Sequence, residues 1–343
     1  MDHRRFHLLE KIVVQMATVA ALLAVYFAIW PVLRPVDPNY PLTFVPTSAY
    51  VDALLFAAAV WVLAAVCALM TVRARPEGAL VAALIGAAGA SARSAQIRSL
   101  LMLREDNLSH LYCLLVLEVL VLFAILLAAA GIVDLVRMGI ARIKPNWLWK
   151  CPLVRSSDAG QKRLGADVSY FADAPRDPNA LTLRYLLVNV IRSWSRTKGR
   201  RNAGGRAADR TSSRQSLCCL GLGLVVALVL LMLLMRSSDR GQILFALLAA
   251  FLSASAVAHQ VFPTPHSIVV WGMPMLVAIG LYALAAFTAG HGEGAWIGLP
   301  KYAGALPVDW LTAGCGGALI GYWISERIHE LRHIQRGEAK LGR

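Results

Sequence analysis

The sequence predicts an all-α polytopic membrane protein, with eight transmembrane helices in two groups of four and both termini on the cytoplasmic side. Three observations lead there. The 343 residues are 58% hydrophobic and only 16% charged, with a mean hydropathy of +0.59, against about 45–50% and about 25% in soluble domains. Apolar runs of about 20 residues, the length that crosses a bilayer core of about 30 Å, recur along the chain. The basic residues are spread very unevenly over the segments that join those runs. This composition excludes collagen-like, disulfide-scaffold and disordered classes. The six cysteines form no C-x-x-C pair, and most lie in apolar runs, where cysteine behaves as a small hydrophobe.

The first run, Ile12–Leu33, follows Arg4, Arg5 and Lys11 and holds 22 residues without a charge. It is too long for a signal-peptide core and leads into Arg34-Pro35 rather than a small-residue cleavage site, so it is a retained helix. Ala53–Val72, Gln215–Met235, Gly241–Pro265 and Ser267–Gly290 also lack Asp, Glu, Lys and Arg. Three further runs are interrupted: Gly78–Leu103 by Arg93 and Arg98, His110–Val136 by Glu118 and Asp134, and Val308–Ser325 by Asp309. With no water to satisfy backbone groups in lipid, all eight are helices. Pro274 should kink the seventh. Gly314, Gly317 and Gly321 line one face of the eighth and permit close backbone approach.

Of the 34 Lys and Arg residues, 27 fall on the side that holds the termini, five on the other, and two inside. The rule that positive loops stay inside therefore places both termini in the cytoplasm. The formal charge of +14 is accounted for by topology, without nucleic acid. The chain divides into a first half (1–136), a basic cytoplasmic loop (137–215), a second half (216–325) and a basic tail (326–343).

The loop opens with Trp147 and Trp149 between Lys144 and Lys150, an interfacial composition. Asn179 can cap a helix over about 180–198. There Leu183, Leu186, Leu187, Val190, Ile191 and Trp194 form an apolar stripe flanked by Arg184, Arg192, Arg196 and Lys198. Such a helix lies on anionic inner-leaflet lipid. Residues 199–215 read as a flexible basic linker.

An ionisable residue at membrane depth demands a partner. Arg93 and Glu118 lie roughly 15 Å and 14 Å from the outer ends of adjacent antiparallel helices, so the sequence predicts an ion pair between them. Asp52 sits at a level from which it reaches Arg98, and Gln96 adds polarity nearby. Together Arg93, Gln96, Arg98, Glu118 and Asp52 form the candidate intramembrane site, either a structural pin or a site for a small solute or ion.

The tail contains His329-Glu330-x-x-His333. On a helix, His329 and His333 share a face and can bind Zn²⁺, with Glu330 activating the bound water. About 0.004 such matches are expected by chance at this composition. The stretch resembles, over about ten residues, the zinc helix of membrane-embedded gluzincin metallopeptidases. That resemblance implies a third ligand from a downstream helix, yet only Glu338 follows as a candidate. No phosphate loop, nucleophile elbow or dinucleotide fingerprint is present.

The functional expectation is a multi-pass protein of a plasma or inner membrane without a cofactor or chemistry of its own. It would act as a scaffold or accessory component, with lipid and other membrane proteins as partners. The alternatives are a carrier using the Arg93/Glu118 level and a zinc metallopeptidase.

Overall fold

The computed structural model describes residues 3–35, 37, 39–44, 50–143, 204–264, 267–289 and 294–341. Every regular element among them is helical. Helix α1 (His3–Leu23) passes through a π-helical stretch (Ala24–Ile29) into a last turn at Trp30–Leu33. There follow α2 (Tyr50–Met70), α3 (Pro76–Arg93), the short α4 (Arg98–Leu103) and α5 (Leu108–Ile143). The second half holds α6 (Gly204–Leu234), α7 (Arg240–Val261), α8 (Ser267–Trp271) and α9 (Met273–Thr288). A final helix starts as one turn at Pro307–Asp309, widens at Trp310–Gly314 and continues as α10 (Cys315–Leu341).

Six helical stretches are long and apolar enough to cross a membrane: Leu9–Leu33, Val51–Met70, Leu108–Ile143, Arg214–Leu234, Arg240–Val261 and Ser267–Thr288. The other two expected passages are helical but less apolar, for a physical reason. Residues 78–84 of α3 and 305–319 of the final helix are buried without interruption. A helix walled in by protein meets no lipid, so Ala and Gly replace Leu on its surface. α3 packs on α1, α2 and α10, while α10 packs on α7 and α3. The helices on either side of the 137–215 segment therefore interlock through α3 and α10.

The bundle exposes large apolar side chains, and buries a few charged ones within a largely apolar core. Phe27, Leu54 and Phe287 are 67%, 69% and 89% exposed, while Glu118, Arg137 and Asp309 are 0% exposed. Exposed apolar area on this scale identifies a surface that meets lipid or protein rather than water. The chain is a multi-pass membrane protein.

Local chemistry explains the irregularities. Pro31 lacks an N–H, and its ring clashes with the carbonyl four residues back. The chain accommodates it by widening the preceding turn, so that the Trp30 N–H bonds to the Val25 carbonyl. The break expected at Pro274 falls at Gly272, between α8 and α9. The glycine face of α10 meets α7 as expected: a Cβ on Gly317 or Gly321 would collide with the backbone of Leu248 or Leu252. Gly86 packs likewise on Ala21 of α1.

Three boundaries differ from expectation. The passage over 78–103 ends at Arg93, where Ser94 turns extended at ψ 147° and its hydroxyl accepts the Leu42 N–H at 2.7 Å. α5 continues to Ile143, so Arg137 lies in a helix rather than a loop. Residues 204–215, expected as a linker, belong to α6. The interfacial tryptophans and the 180–198 helix lie outside the described residues.

Candidate functional site

Two polar clusters occupy opposite ends of the bundle, and neither is the site the sequence predicts. At one end, Asp309 stands in the first turn of the final helix, where its carboxylate accepts the Leu306 N–H at 2.7 Å. This is the reciprocal half of a capping box. Arg240, at the start of α7, donates to both carboxylate oxygens, Nη1 and Nη2 each at 2.6 Å. Ser91 of α3 donates its hydroxyl to the same carboxylate. Arg240 also donates to the Ser91 carbonyl, from Nη2 at 2.7 Å and Nε at 3.2 Å. A carboxylate offers about four acceptor positions, and here all are taken. The charge-assisted bidentate geometry ties three segments far apart in sequence.

At the other end, Glu10 of α1 accepts the Arg75 N–H at 3.1 Å, and Arg75 reaches Glu326 of α10 at 2.5 Å. Arg327 approaches Glu10 at 3.7 Å. Arg137 donates to the carbonyls of Thr71, Val72 and Ala74 at 3.3, 3.4 and 2.9 Å. Those carbonyls belong to the end of α2 and the turn after it, where a helix has no partners of its own for its last carbonyls. Glu77, in the first turn of α3, sits among these charges. Burial pushes its carboxyl above the ordinary 4.5, and Glu326 pushes it the same way against Arg75 and Arg137.

Further along the Glu10–Arg75 end, His259 of α7 is buried between two partners. Nδ1 lies 2.8 Å from Ser325 Oγ and Nε2 lies 3.0 Å from the Thr264 carbonyl. Gln260 Nε2 donates to Ser325 Oγ at 2.9 Å. Tyr322 and His329 pack edge-on against the His259 ring, with centroids at 4.6 and 5.6 Å.

No family model, curated protein or solved structure matches this chain. Its chemistry must be read from the residues themselves.

Arg93 and Glu118 are not the expected ion pair. Arg93 is exposed at the end of α3. Its Nη1 donates to the Tyr26 carbonyl at 2.7 Å, and its guanidinium lies over the Tyr26 and Trp30 rings at 4.4 and 5.5 Å. Arg93 lies seven residues after Gly86 and four after Gly89, on the face of α3 that packs on α1. Glu118 is fully buried in α5. In the segment between α1 and α2, burial raises the Tyr40 hydroxyl above its usual range, with Arg104 opposing the shift and Glu118 adding to it. Arg98 stacks over Trp296 at 4.6 Å rather than meeting Asp52, which is exposed in the first turn of α2. Gln96 is exposed, and its carbonyl accepts the Ser99 hydroxyl at 3.1 Å. The five residues do not converge.

Of the zinc motif, the ring of His329 is half-buried toward α7, and the side chains of Glu330 and His333 lie outside the described residues. Among the described residues no three His, Cys, Asp or Glu side chains form a metal cluster.

Proposed function

We propose that this chain is an eight-passage membrane scaffold or accessory component, with both termini in the cytoplasm and without catalysis of its own. One observation carries the reading: the Arg240–Asp309 ion pair has its carboxylate fully used by Arg240, Ser91 and the Leu306 N–H. A transport or catalytic carboxylate keeps a position for its substrate. One saturated by three chain segments holds those segments together. Arg137 and Arg93 follow the same pattern, each satisfying main-chain carbonyls of a neighbouring helix. The carrier alternative loses its premise, because Arg93 and Glu118 stand apart.

Eight passages place Glu10, Arg75, Arg137, Glu326 and Arg327 at the cytoplasmic end, which is the end the 27-to-5 distribution of Lys and Arg designates. The basic 137–215 loop on that side engages anionic inner-leaflet lipid. The partners of the bundle itself are other membrane proteins, in a plasma or inner membrane. Two measurements test the reading. Reporter fusions after residues 75, 104, 236 and 336 should report inside, outside, outside and inside. Chain extracted from its native membrane in mild detergent should migrate as a larger, stoichiometric assembly than chain expressed alone. A single chain in both preparations, together with solute or proton flux through reconstituted vesicles above empty controls, overturns it.

A further inference from the structure

We propose that Arg93 of α3, with Arg34 at the end of α1, holds the phosphate of an anionic phospholipid at the end of the bundle where Arg240 meets Asp309. The inference rests on the membrane class of the chain and stands independently of the scaffold reading.

The level fits a headgroup. α3 holds 18 residues, a length of about 27 Å at about 1.5 Å per residue, close to a bilayer core of about 30 Å. Its last residue, Arg93, therefore stands near a hydrocarbon boundary. The backbone agrees, because the chain leaves the helix at Ser94, and lipid-exposed backbone that is not helical is excluded from the core. Tyr26 and Trp30, the two rings under the guanidinium, are of the types that collect at that boundary.

The donors fit a phosphate. A guanidinium carries five N–H groups and no acceptor. Arg93 Nη1 donates to the Tyr26 carbonyl at 2.7 Å, and that carbonyl is the one acceptor the guanidinium has among the described residues. Stacking on Tyr26 and Trp30 at 4.4 and 5.5 Å uses the face of the plane and leaves the N–H groups on its edge for a further acceptor. The surroundings are apolar: Leu23, Tyr26 and Phe27 are 50%, 42% and 67% exposed. A charged donor on such a surface demands a partner.

Arg34 supplies a second cation beside the first. Its N–H bonds to the Trp30 carbonyl at 2.8 Å, which places Arg34 one turn beyond the ring that Arg93 covers, and Arg34 is exposed. Among the described residues neither arginine enters an ion pair. Arginine binds phosphate through charge-assisted, bidentate hydrogen bonds, and a phospholipid also brings acyl chains to lie against Leu23 and Phe27. A carboxylate on a partner helix is the competing acceptor. The boundary level favours the lipid, whose phosphates line that level in every bilayer.

The experiment places the purified full-length chain in phosphatidylcholine nanodiscs. These contain a trace of photoactivatable phosphatidylglycerol or, separately, of photoactivatable phosphatidylcholine, each labelled near the headgroup. Crosslinked peptides are located by mass spectrometry. Segment 22–34 should take up the glycerol probe about tenfold over the choline probe. Arg93→Gln and Arg34→Gln should each cut that excess about fivefold, the effect of about 1 kcal/mol per basic residue at an anionic surface. Arg98→Gln, which removes a guanidinium stacked on Trp296 instead, should leave it unchanged. If Arg93→Gln fails to fold, Arg34→Gln decides, since Arg34 is exposed at a helix end. Equal labelling by the two probes in the wild type overturns the proposal and leaves the partner carboxylate as the acceptor. An excess that either variant retains also overturns it. So does an equal loss in Arg98→Gln, which would make the preference a general effect of charge.

Discussion

Arg93 of α3 donates from Nη1 to the main-chain carbonyl of Tyr26 in α1, at 2.7 Å. That carbonyl needs an outside donor because of a proline five residues on. Within the π-helical stretch the Trp30 N–H is taken by the Val25 carbonyl. The next N–H in that register would be residue 31, and Pro31 has none.

The first prediction is a coupling. Arg93→Ala should destabilise the bundle by about 1–3 kcal/mol, the cost of leaving the Tyr26 carbonyl without a donor where it faces lipid rather than water. In a Pro31→Ala background, where the missing N–H is restored, the same substitution should cost much less. Unfolding in mixed micelles measures all four variants. Strict additivity would show that Arg93 does not serve the Tyr26 carbonyl. Arg93→Ala and Glu118→Ala, by contrast, should combine additively.

A second prediction concerns Arg240 and Asp309. Removing either partner leaves a buried charge without compensation, at a cost of about 3–5 kcal/mol. Asp309→Asn and Arg240→Gln should each fall in that range, and the double variant should recover part of the loss. Ser91→Ala, which deletes one neutral donor, should cost about 1 kcal/mol. Thermal melting of the purified protein provides the comparison; single variants no worse than Ser91→Ala would remove the pin from the fold.

Glycine substitutions should separate contact from bystander. A Cβ at Gly317 meets the Leu248 backbone, which cannot rotate away, whereas one at Gly221 or Gly280 meets nothing within 4 Å. Gly317→Ala should therefore cost about 1–3 kcal/mol or more. Gly280→Ala should be neutral or slightly stabilising, since alanine is the better helix former. Folded yield by size-exclusion chromatography would rank them, and equal behaviour would argue against close α7–α10 contact.

The pH dependence carried by Glu77 has a definite sign. Its folded value lies above 4.5 because of burial, with Glu326 adding to the shift. Between the unfolded and folded values the native state holds the extra proton, so this contribution falls as pH rises. Across that window the slope is about 1.4 kcal/mol per pH unit for one fully transferred proton. Glu77→Gln should flatten this part of the profile and stabilise the protein at neutral pH. The readout is the difference between wild-type and variant melting temperatures from pH 4.5 upward; a difference that shrinks with rising pH contradicts it.

Hydropathy and charge asymmetry made the class legible, and small-residue spacing made the α7–α10 contact legible at Gly317 and Gly321. The Gly272 break was foreshadowed by Pro274. The polar contacts were not legible, for a geometric reason. Residue counting gives the depth of a charge along a helix but not the direction it faces. Arg93 and Glu118 matched in depth, yet Arg93 lies on the face of α3 that packs on α1 and bonds there. Arg240 and Asp309 looked like ordinary flanking charges at the starts of two apolar runs, and only the fold shows that the runs start side by side. His259 carried no signal at all inside a uniformly apolar segment.

The burial of α3 has a consequence for how the protein is made. Ser91 finds its carboxylate partner 218 residues later in the chain, and α10, which covers α3, is synthesised after the other described helices. During translation α3 must therefore wait beside α1 and α2 with one flank open. A ribosome stalled before residue 309 would leave a half-built bundle whose least apolar helix faces lipid, the form that membrane quality control is best placed to recognise and remove.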